Sequence, residues 1–437
     1  MSNAHLTRRG LVAGSALGAA AMAAAPAFAA STASVAPAPG TPGGETAAML
    51  GKVQGAAAEL PPLLASTESE GKAPNPDPTP RKLGVAIVGL GHLSLLQILP
   101  GFAQAKHVKV TALVSGEPAK AKAIAAQYGV PESGLYDYAS FDKLRDNAAV
   151  DIVYVVLPNS MHREYTERAA AAGKHVLCEK PMATSSADAR AMIAACKAAG
   201  KRLMIAYRCQ YEPTNRAAIK LARSGDLGRL RLIEAINGQN NADNGQWRHI
   251  AALAGGGSLP DVGLYCLNAA RYLTGEEPVE ISARLTRPAD DPRFREVEDV
   301  CAFTLRFPSG VVASCTSGYS FHASRQLRML GTEAWAQLDP AFDYDNLALH
   351  IGRKAGQASG VEMQRFSPKN QFALEMDHFA EAIRANRAPH TPGEEGLQDM
   401  VLIETIYESA AAGHPITLPA VQGRDVTRGP APEQEAS

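Results

Sequence analysis

Residues 83–88, Leu-Gly-Val-Ala-Ile-Val, form an unbroken apolar run that leads straight into Gly89-Leu90-Gly91-His92-Leu93-Ser94. Such a run predicts a strand buried on both faces, as in a parallel sheet covered by helices. An apolar helical stretch follows at 95–102. Further strands are expected at 108–114, 152–157, 175–178 and 202–206, and helices at 118–128, 160–172 and 186–199. The alternation predicts an α/β doubly wound parallel sheet over residues 81–206.

In that setting the glycine turn has a physical task. Gly89 permits the tight turn, and Gly91 lets the backbone approach a pyrophosphate. The helix that follows presents free N–H groups and its positive dipole end. Gly89, Leu90, Gly91, His92 and Leu93 are therefore expected to cradle a dinucleotide, with Ser94 in place of a third glycine, and 81–206 reads as a Rossmann domain. NAD enzymes usually carry a carboxylate at the end of the second strand. This chain has Ser115-Gly116 there and Lys120 one turn later. A hydroxyl and a cation suit a 2′-phosphate, which predicts NADP.

After Ala206 the pattern changes. A helix is expected at 215–224, then strands at 230–237, 279–285, 300–307, 311–319, 326–330 and 334–338. Two closing helices are expected at 370–386 and 394–411. Residues 207–437 thus read as a second α/β domain with an open, largely antiparallel sheet, for substrate binding and oligomerisation. The last helices can return to the first domain. The open sheet face predicts a homodimer or homotetramer.

Two motifs carry chemistry. Cys178-Glu179-Lys180-Pro181 ends a strand of the first sheet, where ligands bind. Lys180 there can hydrogen-bond a substrate hydroxyl. In Gly255-Gly256-Gly257-Ser258-Leu259-Pro260-Asp261-Val262-Gly263-Leu264-Tyr265, Ser258 is expected to cap a helix that Gly275 ends. Asp261 and Tyr265 then share a face. A tyrosine beside a cation can exchange a proton with a sugar hydroxyl while hydride moves at the same carbon, and Lys180 is the expected cation.

The N-terminus reads as an address. Arg8-Arg9 precede an alanine-rich apolar run ending Ala27-Phe28-Ala29, which predicts a twin-arginine signal peptide over 1–29 and export of a folded protein to the periplasm. Folded export permits loading of a cofactor in the cytoplasm. Residues 30–80 are rich in proline and alanine and read as an extended arm. With 43 basic and 44 acidic residues, no global field draws nucleic acid or an anionic membrane. Past the signal no apolar stretch reaches the ~18 residues of a membrane anchor. The six cysteines lack any CxxC spacing and are expected as buried thiols, with no metal site.

Taken together, GLGHLS (89–94), LPNSMH (157–162), CEKPMA (178–183), YRCQYEPTNRAA (207–218), QWR (246–248), GGGSLPDVGLY (255–265) and TPGEEGLQD (391–399) resemble the Gfo/Idh/MocA oxidoreductase family. The signal, the arm, ALVSGEPAKAK (112–122) and the tyrosine after DVGL resemble its exported glucose–fructose oxidoreductase branch. Many other members carry histidine in place of Tyr265. The resemblance implies that Lys180 and Tyr265 are catalytic, Tyr265 as acid/base, and that Asp261 orients substrate. It places Ser115 and Lys120 on the 2′-phosphate, and Pro158, Asn159 and His162 near nicotinamide. Glu179, Arg208, Trp247 and Arg248 would lie near cofactor or substrate. His92 and Ser94 stand where the family's lysine and alanine are expected, and the 240–245 loop looks short. The expected activity is oxidation of an aldose to its lactone and reduction of a second sugar on one tightly held NADP. The alternatives are an NADP-dependent aldose dehydrogenase or ketose reductase with exchangeable cofactor, and a sensor that binds cofactor and sugar without turnover.

Overall fold

The computed structural model describes residues 81–432 except 242–245 and 357, together with the short strands Val53–Gln54 and Ala57–Ala58. The signal peptide and the rest of the arm lie outside the described residues, as does the centre of the 240–245 loop.

The first sheet contains β1 (Leu83–Val88), β2 (Val108–Val114), β3 (Leu135–Tyr136), β4 (Ile152–Val155), β5 (His175–Glu179) and β6 (Leu203–Ala206). Its order is β3-β2-β1-β4-β5-β6, with every neighbouring pair parallel. The order reverses between β1 and β4, which opens a crevice at the carboxyl ends of the strands. The period of two along β1 divides its side chains between two cores. Ala86 and Val88 pack with Val153, Val155 and Val176 on one face, while Val85 and Ile87 join Leu113, Ile152 and Phe379 on the other. Strand β3 was not expected from sequence. It is only two residues long and half-buried, too short for a periodic signal.

Helices α1 (Pro118–Tyr128), α2 (His162–Ala171) and α3 (Ser186–Ala198) connect these strands, and α4 (Pro213–Ser224) follows them. The second sheet contains β7 (Leu230–Asn240), β8 (Glu280–Thr286), β9 (Val300–Arg306), β10 (Val312–Gly318), β11 (Ser320–Gly331), β12 (Ala334–Leu338), β13 (Leu349–Ala355), β14 (Ala358–Gln364) and β15 (Ile416–Thr417). Its order is β14-β13-β12-β11-β7-β10-β9-β8-β15, antiparallel throughout except for the parallel β7–β10 pair. Alternation along β9 buries Cys301, Phe303 and Leu305 and exposes Ala302, Thr304 and Arg306. The expected strand at 326–330 is the end of the longer β11. The β13–β14 hairpin was missed because β14 is exposed almost throughout and shows no alternation.

Helix α5 (Leu264–Thr274) ends at Gly275, whose φ of 73° is left-handed, as expected. Ser258 does not cap its start. The Ser258 backbone is already helical and its hydroxyl pairs with Ser317 at 3.0 Å, while Leu259–Gly263 form a π-helical turn leading into α5.

Helices α6 (Gln371–Arg384) and α7 (Gly393–Ala412) close the chain. Asn370 caps α6, and Asp377 accepts hydrogen bonds from the Lys106 and His107 amides at 2.8 and 2.7 Å. Phe372, Met376 and Phe379 enter the first-domain core, each stabilising by about 1.5–3 kcal/mol. Through these side chains the helix shares a core with Val85, Ile87 and Leu113 of the first sheet. All six cysteines are buried free thiols.

Candidate active site

Parallel register brings the ends of β1, β2, β4, β5 and β6 to one edge. Gly89–Leu93, Ser115, Pro158–Asn159, Lys180 and Arg208 therefore converge there. Gly89 has φ +94°, and a Cβ there would meet the Val156 carbonyl oxygen at 2.2 Å. A Cβ at Gly91 would meet nothing within 4 Å, so the backbone faces open space where a diphosphate can approach. Leu90 is 4% exposed and packs in the core, which leaves only its backbone for a ligand.

The second-strand residues also suit a phosphate. Lys120 has a side chain only 12% exposed, and its ion-pair partner Glu117 stands off at 3.8 Å. Burial lowers its pKa and Glu117 only partly compensates, so a nearby dianion would offset a desolvated charge. The Ser115 hydroxyl accepts from the Glu117 amide at 3.1 Å and keeps its own proton to donate. These residues fit NADP.

Lys180 lies under the crevice. Its ammonium donates to the Asp261 carbonyl at 2.9 Å and to Asp261 Oδ1 at 3.2 Å. Asp261 Oδ2 accepts from Arg248 Nε at 3.0 Å and from the Tyr319 hydroxyl at 2.6 Å. Burial opposes the Asp261 charge, yet Arg248 and then Lys180 hold the carboxyl well below the usual carboxylate range. Arg248 also stacks on Trp247, 4.5 Å from the ring centre.

Lys180 stands beside Tyr265 but does not hydrogen-bond its hydroxyl. Lys180 Nζ sits over the Tyr265 ring, 4.5 Å from its centre, because Asp261 draws it sideways. Arg208 takes the hydroxyl instead, donating from Nε at 3.3 Å. The Phe342 carbonyl, the Asp343 carbonyl and Gln371 Oε1 anchor the guanidinium at 2.7, 3.1 and 2.5 Å. Tyr344 covers Arg208 from outside, with the guanidinium 4.3 Å from its ring centre. Below Tyr265 is a cavity of about 10 Å³ lined in part by Lys180, Tyr207 and Tyr272.

Glu179 and His162 are both buried. The Glu179 carboxylate points inward, accepting from the Tyr154 hydroxyl at 2.8 Å and from the Lys180 amide at 3.2 Å. Tyr154 is also 3.0 Å from Glu375 Oε1. A phenol has one proton to donate, so one of these buried carboxyls is protonated. Glu375 is the better candidate: burial and then Glu179 raise its pKa, and its Oε2 has no partner. His162 is fully buried, with ring nitrogens 2.9 and 2.8 Å from the Pro181 and Leu157 carbonyl oxygens. It braces two loops and shows no surface to a ligand. Asn159 donates to the Ala254 carbonyl at 2.8 Å, tying its loop to the second domain.

A sequence model described as an oxidoreductase family with an NAD-binding Rossmann fold matches residues 83–207, and one described as a GFO/IDH/MocA C-terminal domain matches 215–337. The chain belongs to the Gfo/Idh/MocA oxidoreductase family. Among its relatives is D-xylose 1-dehydrogenase (NADP(+)) of Haloarcula marismortui, 32% identical over 74% of this chain and 90% of that protein. D-xylose 1-dehydrogenase (NADP(+)) 2 of Haloferax volcanii is 29% identical over 76% of this chain and 98% of its own length. The crystal structure of the aldose-aldose oxidoreductase from Caulobacter crescentus, complexed with glycerol, is 49% identical and superimposes with a TM-score of 0.75. That match covers 77% of this chain and all of the other.

In this Gfo/Idh/MocA oxidoreductase, sequence reasoning missed Tyr319, Phe342, Tyr344, Gln371, Tyr154 and Glu375. None lies in a motif. All but Tyr154 reach the site from segments distant in sequence, and Tyr154 stands inside the apolar run of β4, where it reads as core.

Proposed function

We propose that this chain is an NADP-dependent sugar oxidoreductase that oxidises an aldose at C1 to its lactone and passes the hydride to a second sugar on the same retained cofactor. The observation that carries it is Tyr265, held between Lys180 and Arg208 at the carboxyl edge of a dinucleotide-binding sheet. The 49% identity to an aldose-aldose oxidoreductase and the NADP-linked D-xylose dehydrogenases support the substrate class and cofactor.

Gly89–Leu93 would hold the diphosphate, and Ser115 and Lys120 the 2′-phosphate. When bound, NADP supplies a hydride acceptor and, once reduced, the donor. The protein's part is proton transfer and orientation. An ammonium has three N–H donors, and Asp261 takes two of those on Lys180. The third is available to the sugar C1 hydroxyl. Tyr265 acts as the phenolate, which Arg208 and Lys180 stabilise, and takes the hydroxyl proton as the C1–H bond breaks. In the second half-reaction Tyr265 returns the proton to the oxygen of the acceptor carbonyl, giving an alditol.

The Arg8-Arg9 signal supports periplasmic export after folding, where a retained cofactor removes the need for a free pool. The open face of the second sheet, with Ala302, Thr304 and Ser314 exposed, supports pairing with a second copy. The test is to denature the purified mature protein and identify the released nucleotide by absorbance and mass, then to assay sugar pairs without added cofactor. Stoichiometric NADP(H) and turnover on two sugars are expected. An empty protein that turns over only with added NADP⁺ would make it an exchangeable dehydrogenase.

A further inference from the structure

Behind Tyr272, which also lines the small cavity below Tyr265, lies a second cavity of about 110 Å³. Gln210, Arg216, Arg223, His390, Asp425 and Arg428 line it. Its charges are incompletely compensated. Arg428 pairs with Glu395 and Asp425, each at 2.8 Å. Arg223 pairs with the same Asp425 at 2.6 Å. One aspartate thus serves two arginines. Among the described residues the Arg216 side chain makes no hydrogen bond or ion pair, and its Nε is buried without a partner. Desolvation and then Arg223 disfavour its charge, and Tyr211 and Asp425 offset them only in part. His390 contributes none, since burial pushes it down to about 4.

The wall also has an orphaned acceptor. Gln210 is fully buried, and its Nε2 donates to Asn268 Oδ1 at 2.8 Å and Glu395 Oε1 at 3.3 Å. Both partners are acceptors, which sets the amide orientation and leaves Oε1 buried and unpartnered. One wall of the cavity therefore offers a guanidinium without a hydrogen-bond or ion-pair partner and an acceptor without a donor.

We propose that this cavity binds hydrogenphosphate. Its charged oxygens meet Arg216, and its O–H donates to Gln210 Oε1. A simple carboxylate matches the first group but not the second. Bound there, the anion joins α4 to the C-terminal segment around Asp425 and Arg428.

The test uses the NADP-saturated protein, so that the dinucleotide site is already filled. Thermal unfolding is followed in rising inorganic phosphate against sodium chloride of equal ionic strength, for wild type and Arg216→Gln. Wild type should show a saturable rise of a few degrees above the chloride control, and R216Q none. The Arg216 side chain makes no hydrogen bond, so the variant should fold. Calorimetric titration of phosphate into wild type should give one site per chain and serves if R216Q folds poorly. An equal rise in both proteins, no rise above chloride, or no heat of binding would overturn the proposal.

Discussion

Arg208 Nε stands 3.3 Å from the hydroxyl oxygen of Tyr265 and is the side-chain cation that hydrogen-bonds it among the described residues. Lys180 occupies the ring face instead. In the proposed mechanism the two cations divide the work: one meets the oxygen that exchanges a proton, the other keeps a donor for the sugar.

Tyr265→Phe keeps the ring against Phe342 and Lys180 but removes the hydroxyl. We expect kcat to fall by about 10²–10⁴ with the bound nucleotide retained. Steady-state kinetics and nucleotide content check this. Unchanged kcat would remove Tyr265 from the proton-transfer role.

Asp261→Asn leaves Lys180 and Arg248 without their shared counter-charge. Breaking a buried pair of this kind costs about 3–5 kcal/mol at pH 7, with some reduction for the partly exposed Arg248. The Asp261 pKa is depressed in the folded state, so its stabilisation is present above the unfolded value of about 4 and is lost as pH falls toward the folded one. Denaturant unfolding should show the gap between wild type and D261N closing below about pH 4. A pH-independent gap would contradict the ionic role.

Glu375→Gln replaces a buried carboxyl by an amide that can still donate to Tyr154. The Glu375 pKa is raised in the folded state, so wild-type stability is full below the unfolded value of about 4.3 and declines as pH climbs toward the folded one. The amide does not titrate. The melting temperature of E375Q relative to wild type should therefore rise between pH 5 and pH 8, and a constant difference would argue against a protonated Glu375.

Lys120→Met should weaken NADP binding by about 10–100-fold while changing NAD binding little, since it removes one charge-assisted contact to the 2′-phosphate. Equilibrium binding of both nucleotides to stripped protein checks this. Equal losses for both would move Lys120 away from the phosphate.

The first sheet was legible because a strand buried on both faces leaves an unbroken apolar run, and 83–88 is one. The motifs Glu179-Lys180-Pro181 and Asp261–Tyr265 were legible by type and spacing. The β13–β14 hairpin was not, because an exposed edge hairpin has no buried face to impose alternation. Nor was the turn at Ser258, where a hydroxyl that reads as a helix cap is taken by Ser317 on β10.

The sequence alone determined the order of elements, the glycine turn and the residue types gathered at the strand ends, because periodicity and turn chemistry are local. It did not determine which cation meets which oxygen. Arg208 and Tyr265 are 57 positions apart, and Arg208 is aimed by carbonyls of Phe342 and Asp343 more than 130 positions away. Lys180 is drawn off by Asp261, 81 positions on. Those choices are set by packing within the second domain and, for Lys180, against the first, where hydrogen-bond geometry over tenths of an ångström selects among partners that residue type leaves equivalent.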